Sequence, residues 1–200
     1  MSSPLALYVL LAVGVATALV ALLHRLEPEY DPSWRMLSEY SLGRYGIVMR
    51  VAFLAAGSAV VVLAAALSAA AWPAALALAI VAIGPIGAAF IDTDPITTPR
   101  TEMSGRSNVH GALGAIFILG FPVAATLVGL ALAGDAVVGP GLAWASLAPW
   151  LALAWFLGVN LRAAGSAVAG SPDVRIGWPN RVSMLADVGW VALAAATAVH

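Results

Sequence analysis

The segment Phe90–Gly111, FIDTDPITTPRTEMSGRSNVHG, is the most polar long stretch in an otherwise apolar chain. On each side of it lies an apolar run of the roughly 20 residues that cross a hydrocarbon core. A polar stretch between two such runs is a connection at a membrane surface. It brings Asp92, Asp94, Arg100, Glu102, Arg106 and His110 to that surface together. Two other polar connections, Glu27–Arg50 and Asn160–Asp187, are expected on the same side. The chain therefore reads as a polytopic membrane protein with one charged end.

Composition supports this. The 200 residues are 62% hydrophobic and 10% charged, whereas about a quarter of the residues in soluble domains are charged. The apolar runs are continuous in Ala, Leu and Val and lack the period-two alternation of a membrane β-barrel. There is no cysteine, so disulfide, thiol and iron–sulfur chemistry are excluded. All nine basic residues are Arg, which excludes a retinal Schiff base, a pyridoxal lysine and a P-loop lysine. A net charge of −1 gives no case for nucleic acid.

The fold class expected is all-α: a bundle of six transmembrane helices with a short interfacial helix in the first loop, one membrane domain over residues 1–200. The helices are expected near 5–23, 47–70, 74–91, 109–133, 142–161 and 182–199. The first has no basic residue before it and His24-Arg25 after it, the reverse of a signal peptide, so it is expected to remain as a membrane helix. Asp31-Pro32 provides an N-cap and a first-turn proline for the interfacial helix, and Gly43 a stop. Gly84-Pro85 is expected to interrupt and kink the third helix. Arg25, Arg35, Arg44, Arg50, Arg100, Arg106, Arg162, Arg175 and Arg181 all lie in or beside connections one, three and five. Basic residues mark the cytoplasmic side. The expected location is the plasma membrane, with the odd-numbered loops cytoplasmic and both termini outside.

A charge inside a membrane helix is costly and is a functional hypothesis by default. Asp187 is the best case, two turns into the last helix and on one face with Asn180 and Ser183. Its alternative role is structural, as the ion-pair partner of an Arg such as Arg50. His110 opens the fourth helix, where it serves either as an acid/base group or as a hydrogen-bond anchor for a loop. His24 reads as an interfacial residue, and His200 ends the sequence. Glu39 in an apolar pocket would act as a general acid; its plainer role is to pair with Arg35 or Arg44. Asp92 and Asp94 form a weak D-x-D pattern that could hold Mg²⁺, or simply start a turn at Asp94-Pro95. Tyr30, Trp34, Tyr40, Tyr45 and Trp178 would wall a site at this depth, although aromatics are also ordinary interfacial anchors. Metalloprotease, P-loop and dinucleotide signatures are absent from the sequence.

Several of these pieces occur in a fixed order. Pro28, Tyr30, Asp31 and Pro32 precede Ser38-Glu39; Asp94-Pro95 follows the third helix; His110 opens the fourth; Asn180-Arg181 precedes the last. In this ordered set, and over nearly its full length, the chain resembles the small bacterial and archaeal membrane proteins of the domain-of-unknown-function family numbered nine-nine-eight. The resemblance implies a six-helix bundle with these motifs clustered at one end. It implies no activity.

The function expected from the residues is that of a membrane enzyme acting on a lipid or isoprenoid by acid/base chemistry, terpene-cyclase-like at its most specific. Glu39, His110 and Asp187 are the candidate catalytic groups. Tyr30, Trp34, Tyr40, Arg50, Asn160, Trp178, Asn180 and Arg181 are the candidate substrate-binding residues, with Arg50 or Arg181 holding an anionic or polar group. No cofactor is required, Mg²⁺ at Asp92 and Asp94 being the exception considered. The partners expected are membrane lipid and no nucleic acid. The alternatives are a small-molecule or ion transporter and a non-catalytic assembly protein.

Overall fold

The computed structural model describes residues 2–135 and 139–197, and those residues are helical apart from connections. The helices are α1 Ser3–Leu26, α2 Gly46–Leu67, α3 Trp72–Ala88, α4 Gly105–Ala131, α5 Gly139–Ala145, α6 Leu147–Arg162 and α7 Gly177–Thr197. Short 3₁₀ helices cover Leu37–Leu42 and Arg100–Glu102. Among the described residues the only β pairings are the isolated bridges Pro99–Val168 and Ser171–Val174.

Local chemistry explains the boundaries. Proline stands in the first turn of α1 and of α3, where its missing N–H costs nothing. Ser104 caps α4, its hydroxyl accepting from the Ser107 amide at 3.1 Å. His24 and Arg25 lie in the last turn of α1, where cations complement the helix dipole.

The helices close into a ring. α1 packs on α2, α2 on α3 and α3 on α4; α4 meets α5 and α6, α6 meets α7, and α7 returns to α1. The core between them is built of small and branched side chains with Phe121 and Trp190, which meet edge to face at 5.9 Å. At Gly84 a Cβ would stand 2.6 Å from the Leu113 carbonyl oxygen, so glycine is what lets α3 approach α4 closely. Large apolar side chains are exposed along the outside of the bundle: Leu7 and Leu11 on α1, Ile80 and Ile83 on α3, Leu119 and Leu130 on α4, Leu151 and Leu161 on α6. A water-soluble surface does not carry so much contiguous apolar area; this one faces lipid. Four segments are long and apolar enough to cross a membrane: 3–26, 46–67, 105–131 and 140–162. α3 is equally apolar but has 17 residues.

Three expectations change. The fifth helix, expected unbroken over 142–161, is broken at Ser146. Pro149 has no N–H to offer the Ala145 carbonyl and its ring crowds it, so α6 restarts after a turn. Ser146 fills the gap, donating to the Leu142 carbonyl at 2.9 Å and accepting from Trp190 Nε1 at 3.1 Å. The third helix is not interrupted at Gly84-Pro85 but continues to Ala88. The helix expected over the first connection is instead a turn at 32–34 followed by the Leu37–Leu42 3₁₀ helix. Leu37, Glu39, Tyr40 and Ser41 of that helix are buried, so it is a plug within the bundle end and not a helix lying on the interface. The expected end of the last helix at 198–199, and His200, lie outside the described residues.

Candidate functional site

Connections one, three and five meet at the same end of the bundle. The Ile96 amide in the third connection donates to Glu39 Oε1 in the first, at 2.9 Å. The fifth connection holds the third through Gly170 N to Ile96 O at 3.1 Å and Arg100 N to Ala167 O at 2.9 Å. It holds the first through Gly177 N to Ser33 O at 3.3 Å. The polar loops form one cap, with the nine arginines distributed in it or beside it.

Glu39 is 1% exposed. Its Oε1 accepts from Arg35 Nη1 at 2.7 Å as well as from Ile96, and its Oε2 accepts from the Met36 amide at 3.0 Å. Three N–H donors, one of them cationic, occupy the two carboxylate oxygens. Here the group ties two loops together. Arg35 also stacks over Trp34, with its guanidinium carbon 4.3 Å from the ring centroid.

Arg50 is not the partner of Asp187. It donates to the Ala89 carbonyl at 3.0 Å, just past the end of α3, and pairs with Asp92 at 2.6 Å. Arg106 approaches the other Asp92 oxygen at 3.9 Å. Asp94 accepts from the amide and hydroxyl of Ser104, at 2.6 and 3.0 Å, and its own amide donates to Ser107 Oγ at 3.0 Å. The two carboxylates are thus turned to different partners. Among the described residues no three His, Asp or Glu side chains are gathered as a metal-binding group. His110 is buried, and its Nδ1 donates to the Ile91 carbonyl at 2.5 Å, anchoring the chain that leaves α3. Asn160 donates to its own helix at the Phe156 carbonyl and is not drawn into the cap contacts.

Asn180 and Arg181 lock α7 to the first connection. Asn180 Oδ1 accepts from the Leu37 amide at 3.0 Å. Arg181 is 3% exposed. Its Nη1 donates to the carbonyls of Arg35, Gly177 and Pro32 at 2.6, 3.2 and 3.3 Å, and its Nε donates to His24 Nε2 at 2.8 Å. His24 is therefore the tautomer that carries its proton on Nδ1, which donates to the Val20 carbonyl at 2.7 Å. Tyr40 lies against this pair, its ring 5.4 Å from His24 and 5.2 Å from Tyr30, with the guanidinium carbon at 5.9 Å. Burial pushes the Tyr40 phenol above its ordinary pKa, against the pull of the Arg181 guanidinium; burial raises Tyr30 likewise. The Ser33 amide holds the Asp31 carboxyl below its ordinary value.

Asp187 is 0% exposed, and neither carboxylate oxygen has a hydrogen-bond partner. Ser183 Oγ, one turn before it, is also buried and unpartnered. A cavity of about 360 Å³ opens between α1, α2 and α7, and Ser183 and Asp187 are not among its lining residues. Its walls are apolar, including Ala16 and Val20 of α1, Met49, Phe53 and Ala56 of α2, and Met184, Leu185 and Val188 of α7. At the cap end it is lined by His24, Trp178 and Arg181. Trp178 and Leu185 are 51% and 56% exposed, so the cavity opens sideways to the outside of the bundle.

Two participants were not anticipated. His24 reads from sequence as an interfacial residue, and only the fold turns it to Arg181. Glu27 is 1% exposed, and its Oε1 accepts from the Tyr45 amide at 2.7 Å. A carboxylate at the C-terminal end of a helix opposes the dipole, and that local misfit was its one signal in the sequence. No curated protein and no solved structure matched the chain. The model of a family described as "Protein of unknown function (DUF998)" matches residues 10–197, and the chain belongs to that family.

Proposed function

We propose that this protein is a six-span membrane protein that takes up a lipid or isoprenoid from the bilayer and acts on it by acid/base chemistry. The observation that carries the reading is the cavity between α1, α2 and α7. Its size falls in the range of small-molecule sites, roughly 300–1,000 Å³, its walls are apolar, and it is open at exposed Trp178 and Leu185. The clustering of arginines at the capped end supports a cytoplasmic cap with both termini outside, in the plasma membrane.

The acid/base role falls to Asp187 in this reading. Its carboxyl is free of partners and sits on the helix that supplies Met184 and Val188 to the cavity. Glu39 and His110 are already engaged with loop backbone, which suits positioning better than proton transfer. A cyclase-like protonation of an isoprenoid alkene is the most specific form of the proposal.

The test begins with native mass spectrometry of the protein extracted with its own lipids. A co-purified amphiphile that is lost in Ala56→Trp, which fills the apolar part of the cavity, is the expected result. Turnover of that amphiphile should then disappear in Asp187→Asn while its binding persists. Unchanged turnover in Asp187→Asn would remove the acid/base role. One observation favours a second reading, a non-catalytic assembly protein: Glu39, Asp94, His110, Asn180 and Arg181 all bond to other loops or to backbone. A fixed protein partner, with no amphiphile in the wild type, would favour that reading.

A further inference from the structure

We infer that the cavity between α1, α2 and α7 is selective for a single-chain amphiphile with an anionic oxyacid head, phosphate or carboxylate, and that Arg181 reads the head. This rests on the cavity being a lipid site and names the class of molecule it takes.

A buried cation is expensive unless an opposite charge meets it. Arg181 is 3% exposed yet makes no ion pair among the described residues. The carboxylates near it are committed elsewhere: Glu39 to Arg35, and Asp31 to the Ser33 amide. Every acceptor it has is neutral. Three are backbone carbonyls, and the fourth is His24, which must be uncharged to accept from Nε. These contacts satisfy Nε and Nη1 and fix the plane of the guanidinium. Nη2 is buried without an acceptor in hydrogen-bonding geometry, although the Tyr40 hydroxyl also interacts with the guanidinium. A planar, preorganised guanidinium with a buried Nη2 and no direct ion pair is suited to a carboxylate or phosphate oxygen.

The position of the charge gives the rest of the ligand. His24 is in the last turn of α1, Met49 in the first turn of α2, and Arg181 near the start of α7, so this end of the cavity lies under the cap. Ala16, Ala56 and Val188 lie about two turns deeper along the same helices. The polar end is thus at the membrane surface and the apolar end in the bilayer interior. A molecule lying along it has its head at Arg181 and its chain between the three helices. The exposed Leu185 wall lets the chain enter from lipid without passing through water.

The inference is tested with the full-length protein in nanodiscs of zwitterionic phosphatidylcholine. Binding of dodecyl phosphate, dodecanoate, dodecyl maltoside and inorganic phosphate is measured by native mass spectrometry. The two anionic amphiphiles should bind at least about tenfold more tightly than the maltoside, as expected for a charge-assisted hydrogen bond. Arg181→Gln should erase that preference, Arg181→Lys should weaken it, and Ala56→Trp should reduce binding of all three amphiphiles. Equal binding of anionic and neutral amphiphiles, both sensitive to Ala56→Trp, would overturn the head-group assignment and leave the lipid cavity standing. Loss of the lipid reading itself would show as amphiphile binding that is absent or indifferent to Ala56→Trp. Inorganic phosphate bound as tightly as dodecyl phosphate would mean a free-anion site and would also overturn the proposal. Should Arg181→Gln fail to fold, the wild-type preference and Arg181→Lys still decide it.

Discussion

Glu39 illustrates how little a residue's type says about its task. A carboxyl in an apolar setting is a candidate acid, and sequence supports that role for Glu39 as well as for Asp187. In the fold, Glu39 receives three N–H donors and Asp187 receives none. Glu39→Gln keeps the shape and loses the charge that binds Arg35 and strengthens both amide contacts. We expect it to destabilise the protein by roughly 1–3 kcal/mol, the scale of hydrogen bonds to a charged group. Denaturant unfolding in detergent micelles checks this. Unchanged stability combined with abolished turnover would instead make Glu39 the acid. Asp187 was legible because an isolated charge in an apolar helix stands out. The roles of His24 and Glu27 were not, because each depends on a partner 157 and 18 residues away, respectively.

At the scale of elements, the first turn of α7 decides whether the cap closes. A Cβ on Gly177 would collide with the Pro32 carbonyl oxygen and lie 2.7 Å from that of Arg35. These are two of the acceptors that hold Arg181. Gly177→Ala should push α7 off the first connection and free the Arg181 side chain. The expected outcomes are a loss of roughly 1–3 kcal/mol, typical of overpacking, and faster proteolysis within residues 28–45. Wild-type protease resistance in that variant would contradict the close approach. That the chain is helical was readable from its long apolar runs. The break at Ser146 follows from Pro149, although the apolar run around it is continuous. The 3₁₀ plug was not readable: Asp31-Pro32 is a sound helix start, and burial against α2 and α7 selected the tighter winding.

At the scale of the whole molecule, a ring of helices with one shared cap has its polar connections on one side of the membrane. The chain has no cysteine, so single cysteines report cleanly. Thr101→Cys in the third connection and Ser68→Cys after α2 should react with a membrane-impermeant maleimide from opposite sides of the cell membrane, Thr101→Cys only from the cytoplasm. Labelling of both from one side would refute the six-span arrangement. By itself, the sequence determined that this is an all-helical membrane protein with one charged end, and it named most of the charged and amide residues found in the cap. Those properties follow from the length and polarity of contiguous runs, which are local. Only the tertiary structure decided that the three polar connections touch, that Arg50 goes to Asp92 while Asp187 stays unpaired, and that Arg181 lines a cavity without a direct ion pair. The physical reason is that a charge is stabilised by whatever lies a few ångströms away. Here several of those neighbours, Asp92 for Arg50 and the Ile96 amide for Glu39 among them, come from distant parts of the chain, brought together only when the helix ring closes.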